Sequence, residues 1–304
     1  ENGHQPMSYR TTQCTIVFNG EIYNHHSLRD ELVPLGYDFI SQCDTEVILA
    51  AYDNWGIDCL QHFKGMFAFA LFDPRRKHLF LARDRAGEKP LFYSHSDGTI
   101  KFGSELKALM ADVSFERRLS PRAMDMYLGM GYITDADCIL AGVHKLPPAH
   151  YAIFSLDLGT LDIDTYWGLP PQYSGSRKDV NDIDLVDKLE DLLEKSIRMQ
   201  LIADVPVGIL LSGGVDSSLI TAIASRISTK VKTFTIGFSG HADYDESPHA
   251  RLIADHFKTE HIELNAGATG PELLLSLARQ YDEPIVDSSM LPTYLVCSLV
   301  REHC

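Results

Sequence analysis

Two regions of strong apolar pattern meet at one clear boundary along the chain, near residue 167. Before that point the apolar positions form short β-branched or aromatic runs punctuated by turn residues: CTIVFNG (14–20), GMFAFALFD (65–73), HLFLARD (78–84), PLFYSH (90–95) and TIKFGS (99–104). These predict strands. Helix-like DTEVILAAYDNWG (44–56) and SELKALMA (104–111) lie among them, so sheets flanked by helices are expected. Beyond residue 182, Leu185, Leu189, Leu192, Leu193 and Ile197 share one helical stripe. A strand VPVGILL (205–211), a helix over 217–227, a strand VKTFTIGF (231–238), a helix over 246–257 and a strand TEHIEL (259–264) follow. Strand and helix alternate there, which predicts a doubly wound parallel sheet. Between the two regions, GLPPQYSGSRKDVND (168–182) collects Pro, Gly, Ser and charge, the composition of a linker.

Length agrees with that division: 304 residues exceed what one core usually serves, and two domains of about 150 residues are the natural reading. Charge narrows the partners. The 42 acidic against 27 basic residues give a formal charge of −15, which repels a phosphate backbone and argues for small-molecule chemistry rather than nucleic acid. No apolar run approaches the ~20 residues that span a bilayer, and ENGHQPMSYR (1–10) has no signal pattern, so the chain reads as cytoplasmic with no membrane partner. Cys14, Cys43, Cys59, Cys138, Cys297 and Cys304 form neither CxxC pairs nor a dense framework, and are read as mostly buried thiols. The chain starts at Glu1 and stops in the helix-like LVREHC, so it is read as cut at both ends.

One break in the pattern carries chemistry. In ILLSGGVDSS (209–218) an apolar run gives way to Ser-Gly-Gly just where the first strand of the second sheet turns into its first helix. Two glycines allow close backbone approach to a ligand, and the helix start offers unpaired N–H groups to an anion. No Lys follows Gly214, so this is not a Walker loop for γ-phosphate transfer. An ordinary strand-to-helix turn with an Asp-Ser cap is the bland alternative.

Ser-Gly-Gly-x-Asp-Ser resembles the pyrophosphate loop of the ATP pyrophosphatases, which cleave ATP to AMP and pyrophosphate while adenylating a carboxyl or carbonyl oxygen. The resemblance implies that Ser212, Gly213, Gly214, Ser217 and Ser218 cradle pyrophosphate and that Asp216 contacts the accompanying Mg2+. FNGEIYNHHSLRDEL (18–32), CDTEVILAAY (43–52) and GMFAFALFD look like the glutaminase domain of class II glutamine amidotransferases. With RDRAGEKPLFY (83–93), GSELKAL (103–109), KLPPAHY (145–151) and DVPVGILLSGGVDSS (204–218) in one order, the whole chain resembles the glutamine-hydrolysing asparagine synthetase family. The implied architecture is a layered α/β/β/α, Ntn-hydrolase-like domain over 1–167, a linker over 168–182 and an ATP-pyrophosphatase domain over 183–304.

The same resemblance assigns residues. The Asn19 side-chain amide and the Gly20 N–H would form the oxyanion hole, and Glu21 with Asp44 would hold the ammonium of glutamine. The bland readings are a hairpin turn for Asn-Gly, a solvated turn for Glu21 and a helix N-cap for Asp44. The family nucleophile is an N-terminal Cys aided by its own amine, and neither Cys14 nor Cys43 has a free amine, so its loss is put down to truncation. Leu211 and Ile236 would meet adenine through their backbone, or be plain strand core. In YDEPIVDSSMLPTY (281–294), Asp282, Glu283, Asp287 and Ser288 would shape the site of the ammonia acceptor, or be a polar loop. Asp245 and Glu246 are read as helix caps, and His25, His26 and His150 as surface or structural residues.

The implied activity is glutamine-dependent asparagine synthesis with ATP and Mg2+, in which ammonia attacks a β-aspartyl-adenylate; a homodimer is left open. Three alternatives stand beside it: a sister amidotransferase acting on a sugar acid, a peptide or a lactam-forming substrate, a non-catalytic nucleotide- or glutamine-binding module, and a tRNA-modifying pyrophosphatase. The last would want a basic face that this composition lacks.

Overall fold

The computed structural model describes residues 3–134, 137–169, 181–238, 245–265 and 271–304. The fold is mixed α/β and divides into two compact units: Glu1–Pro171 with Tyr281–Val286, and Gln172–Gln280 with Asp287–Cys304. The first division falls inside the stretch read as a linker, whose residues 170–180 lie outside the described residues. Placing Tyr281–Val286 in the first unit departs from the sequence reading, which gave it to the second.

In the first unit a six-stranded antiparallel sheet has the order β1 (Met7–Ser8), β2 (Thr15–Ile22), β3 (Gly65–Asp73), β4 (His78–Arg83), β8 (His150–Ser155), β9 (Leu161–Thr165). A second sheet has β5 (Phe92–Ser96) between β6 (Thr99–Gly103) and β7 (His144–Lys145). The helices are α1 (His25–Leu32), α2 (Asp44–Trp55), α3 (Cys59–His62), α4 (Leu106–Met110) and α5 (Pro121–Met130). α5 shows how locally these elements are specified. Ser120 caps it by accepting from Ala123 N–H at 3.3 Å, Pro121 opens it, and Gly131 ends it in the left-handed region.

Side-chain alternation sorts the layers. Along β3, Phe67, Phe69 and Leu71 pack with Val47, Ile48 and Ala51 of α2, while Ala68 and Ala70 face the other way, against Leu91, Tyr93 and Leu146 of the second sheet. Bulky residues thus meet the helices, and small ones let the sheets approach. On the outer side of the second sheet, Phe92 joins Leu106 and Leu109 of α4 and Ala123 of α5 in a third cluster. The order helix, sheet, sheet, helix is the α/β/β/α stack that the family resemblance implied.

One loop of this unit is built around two buried charges. Asp84, with no solvent exposure, accepts from Phe67 N–H (3.1 Å), Ala86 N–H (3.1 Å), Glu88 N–H (2.9 Å) and Lys89 N–H (2.9 Å). Arg83 donates to the carbonyls of Lys89 (2.8 Å), Leu146 (2.8 Å) and Gly87 (2.7 Å).

The second unit contains α6 (Asp182–Gln200), β10 (Gly208–Leu210), α7 (Val215–Ile227), β11 (Lys232–Gly237), α8 (Ser247–Phe257), β12 (Glu260–Asn265), α9 (Pro271–Gln280) and α10 (Met290–His303). Its strands are parallel in the order β10-β11-β12, with Ile209 opposite Thr233 and Thr233 opposite His261. Among the described residues the chain advances one way through this parallel sheet. The apolar stripe of α6 is on the surface: Val186 and Leu189 are more than half exposed, beside an apolar groove of about 320 Å³ shared with Leu219 and Ile223 of α7. Among the described residues no helix is long and apolar enough to cross a membrane.

The Asp84 network yields a stability prediction. Asp84→Ala orphans four backbone donors and should cost on the order of 3–5 kcal/mol in chemical denaturation. Asp84→Asn, which keeps one acceptor oxygen, should cost less. A loss below about 1 kcal/mol for the alanine variant would show that the loop is held by something else.

Candidate functional site

Asn19 and Gly20 do not form a hairpin turn. They lie within β2, with Asn19 opposite Ala68 and Gly20 opposite Phe67. Phe67 exchanges hydrogen bonds with Asp84, through its N–H to the carboxylate and its carbonyl to the Asp84 N–H (2.8 Å), so it turns both backbone groups away from β2. Gly20 therefore faces a non-hydrogen-bonded position of the ladder and directs its own N–H to the opposite edge of β2. That edge is open here, because β1 pairs only with Thr15 and Ile16.

The two neighbouring N–H groups on that edge are occupied. Phe18 N–H donates to Gln5 Oε1 at 2.6 Å and Ile22 N–H to Asp44 Oδ2 at 2.9 Å. Gly20 N–H lies between them. A side chain at Gly20 would place Cβ against the Met66 carbonyl oxygen and the Phe67 Cα, the latter at 2.7 Å, so glycine is required by β3 whatever binds. Asn19 directs its amide across the sheets, where Nδ2 donates to Ser104 Oγ at 3.0 Å beside a cavity of about 140 Å³. Glu21 is exposed one residue before the Ile22 amide that Asp44 grips. The arrangement offers a backbone and an amide donor on successive residues, with carboxylates at the end of the strand.

Asp44 is not the cap of α2. Cys43 holds that position, and the Asp44 carboxylate reaches back to β2 instead. Cys14 is fully buried, which also holds its thiol up in pKa, so it cannot attack a substrate. Cys43 lies 3.0 Å from Ser41 Oγ. A larger cavity, about 560 Å³, lies between Tyr9, Tyr37 and Asp53, away from Asn19 and Gly20; its buried Glu46 is engaged by Ile40 and Ser41 N–H groups.

In the second unit the structure brings Ser212 and Gly214, after β10, together with Ser217 and Ser218 in the first turn of α7. Ser212 Oγ lies 3.0 Å from Ser217 Oγ and accepts from Gly214 N–H at 3.2 Å, while Ser217 Oγ accepts from Ser212 N–H at 3.3 Å. The loop thus curls on itself. The Ser218 hydroxyl is buried and has no partner, a cost that a bound acceptor would remove. Gly213 has φ +82°, and a Cβ there would come within 2.6 Å of His249 Cβ and 2.7 Å of Ala250 N. Its lack of a side chain is demanded by α8 and not by a ligand alone. Asp216 sits exposed in the first turn of α7.

Leu211 is core: its side chain packs on Ala250 and Ala254, and its N–H donates to the Phe234 carbonyl at 2.8 Å. Strand geometry then turns the N–H and C=O of Ile236 to the edge that Phe234 uses, two residues past the end of β10. Asp245 accepts from Ser247 N–H at 3.1 Å, and the Ser247 hydroxyl together with that N–H lowers its pKa, whereas Glu246 makes no side-chain cap. His150 is held structurally, 2.8 Å from the Pro148 carbonyl and 2.9 Å from Thr165 Oγ1. His25 and His26 sit side by side in α1, ring centroids 4.0 Å apart. Sequence reasoning did not single out Gln5, Asp84 or Ser104, although GSELKAL and RDRAGEKPLFY contain the last two.

Residues 1–167 match the family model described as glutamine amidotransferase domain, and residues 188–304 the model described as asparagine synthase. Asparagine synthetase (glutamine-hydrolyzing) 3 of Bacillus subtilis (strain 168) is 36% identical over 278 residues, 86% of this chain and 44% of the relative. Asparagine synthetase (glutamine-hydrolyzing) 1 of the same organism is 32% identical over 307 residues, 100% of this chain and 47% of the relative. Amidase chyE of Penicillium rubens is 29% identical over 268 residues, 84% of this chain and 39% of the relative. The chain spans about half the length of the curated relatives it matches.

Ser218 separates a ligand loop from an ordinary turn. Ser218→Ala removes a buried hydroxyl that bonds to nothing, so thermal stability should hold or rise slightly. Affinity for magnesium-ATP, read by calorimetry on the 304-residue chain, should fall about tenfold or more for the loss of a hydrogen bond to a charged oxygen. Unchanged affinity would assign the loop to folding only.

Proposed function

Because the chain belongs to the glutamine amidotransferase family and carries an asparagine synthase domain behind that module, we propose that it works in glutamine-dependent asparagine synthesis. In this reading the amide C–N bond of glutamine breaks in the first unit. The Gly20 N–H and the Asn19 amide hold the oxygen that becomes negative in the tetrahedral intermediate, and Asp44 and Glu21 hold the substrate ammonium. The attacking thiol is assigned to no residue of this chain.

In the second unit the acceptor carboxylate attacks the α-phosphate of ATP. Pyrophosphate leaves, an acyl-adenylate forms, and ammonia then displaces AMP. Ser212, Ser217, Ser218 and the N–H groups at the start of α7 receive the pyrophosphate, whose charge suits the positive end of the helix. The adenine lies along the open backbone edge of Ile236. Among the described residues no group of three His, Cys, Asp or Glu side chains could hold a metal by itself. Mg2+ usually binds through one or two carboxylates plus phosphate oxygens, and exposed Asp216 fits as that single protein ligand of a metal carried in by ATP.

The observation that carries the reading is the buried, unpartnered Ser218 hydroxyl in a self-bonded loop at a helix N-terminus. A second reading, amidation of another carboxylate, is favoured by the similarity to the Penicillium amidase. The test is isotope exchange in the protein expressed from its complete reading frame. Labelled pyrophosphate should enter ATP when aspartate is present, labelled orthophosphate should not, and Asp216→Asn should suppress the exchange. Release of ADP and orthophosphate would refute adenylation. Exchange driven by another carboxylate and not by aspartate would establish the second reading.

A further inference from the structure

Tyr281–Val286 belongs to the first unit although the residues on both sides of it belong to the second. Its two carboxylates, read from sequence as candidate acceptor ligands, have their oxygens engaged by that unit. Asp282 Oδ2 accepts from Leu106 N–H at 2.5 Å, at the start of α4, and Oδ1 lies 3.1 Å from Lys107 Nζ. Glu283 Oε1 accepts from Ile139 N–H at 2.8 Å and Oε2 lies 2.5 Å from Lys145 Nζ, on β7. Farther along, Val286 N–H donates to the Gly131 carbonyl at 2.8 Å, and a Cβ on Gly131 would come within 3.3 Å of Val286 Cβ.

The Glu283–Lys145 pair is well shielded, while Asp282 meets a Lys107 that is 41% exposed. The side chains of Asp282, Glu283 and Lys145 are 10%, 15% and 13% exposed, and Lys145 also donates to the Ile133 carbonyl at 3.3 Å. A surface ion pair contributes little, but a shielded one whose oxygens also take backbone N–H groups leaves a stranded charge when either partner is lost. Three separate stretches of the first unit grip six residues: the start of α4, the end of α5, and Ile139 with β7. Both carboxylates are thus committed to the first unit, Glu283 through each of its oxygens and Asp282 through a backbone N–H and the part-exposed Lys107.

We propose that Asp282 and Glu283 are positioning residues that clasp Tyr281–Val286 to the amidotransferase unit and fix the point from which Asp287-Ser288-Ser289 departs. Of the four residues read from sequence as acceptor ligands, Asp287 and Ser288, both exposed, are then left to meet the acceptor; Asp287 already orders the turn by accepting from Ser289 N–H at 2.8 Å. The acceptor part of this proposal rests on the adenylation reading above. The clasp itself does not.

The test therefore has two arms. In the 304-residue chain, amide hydrogen exchange by mass spectrometry should show peptides covering 131–140 and 281–287 opening at least about tenfold faster in Glu283→Ala and Lys145→Met, with 15–22 unchanged. Glu283→Gln combined with Lys145→Met, which strands no charge, should recover much of the protection. In the protein from the complete reading frame, both single variants should raise KM for the acceptor carboxylate at least about fivefold while KM for glutamine stays put. If Lys145→Met changes neither exchange nor acceptor KM while Glu283→Gln abolishes acceptor-dependent pyrophosphate exchange, Glu283 binds the acceptor directly and the proposal fails. If amide exchange moves but acceptor KM does not, the clasp is a stability element and the positioning role is refuted. If the unaltered protein shows no acceptor-dependent exchange at all, the adenylation reading has failed, and the first arm still decides the clasp.

Discussion

A carboxylate with no access to water must spend its oxygens on protein donors, and Asp84 spends them on four backbone N–H groups. Much of the first unit follows from that requirement. Three of the donors fold the loop after β4 around the side chain, and Arg83 closes the same loop by collecting three carbonyls. The fourth donor is Phe67, and here the constraint reaches the site. With both its backbone groups turned to Asp84, Phe67 offers nothing to the strand on its other side, and Gly20 must look outward. The direction of the Gly20 N–H is thus set from two strands away. The side chain of Phe67, meanwhile, belongs to the core under α2, so packing and site geometry share one residue.

The second unit solves a similar problem with a glycine. Gly213 lets the loop after β10 lie against the backbone at His249 and Ala250, and Leu211, two residues earlier, packs into the same helix. That contact sets where α7 begins, and so where its unpaired N–H groups point. The serines then bond to one another and to Gly214, which holds the loop in shape without a ligand. Such preorganisation lowers the ordering cost of binding. The buried Ser218 hydroxyl is left unsatisfied in that arrangement.

Strand and helix positions were largely legible because they rest on period. The runs at 65–73 and 78–83 alternate between two apolar clusters, and along 65–73 the two faces differ in residue size. The parallel sheet of the second unit followed from strand-helix alternation in the same way. The loop at 211–218 was legible because glycine and serine at a strand-to-helix turn have few other uses. Asn19-Gly20 was only half legible: local chemistry says hairpin, and the β2 to β3 ladder overrides it. Ser104, Gln5 and Asp84 carry no periodic or compositional signal, since each matters through a partner between 13 and 85 positions away. That Tyr281–Val286 groups by contact with the first unit, although the asparagine synthase match runs through it, was illegible for the same reason. Nothing in YDEPIV says that it returns to the first unit.

The acidic residues make the general point about reading sites from sequence. Asp44, Asp84, Asp282 and Glu283 were each available as candidate ligands on chemistry alone, yet each accepts from a backbone N–H of another segment. Buried backbone donors need partners as urgently as substrates do, and they are far more numerous. A carboxylate already holding an N–H can still take part in binding if its other oxygen is open, which is the situation of Asp44, whose Oδ2 grips Ile22. It cannot when the lone pairs are used up, as in Asp84, whose two oxygens each accept from two N–H groups. Asp216, by contrast, is exposed in the first turn of a helix beside the self-bonded serines. The distinction between a structural and a binding carboxylate lies in how many of its lone pairs the fold has already used, and that count depends on long-range pairing which sequence neighbours do not reveal.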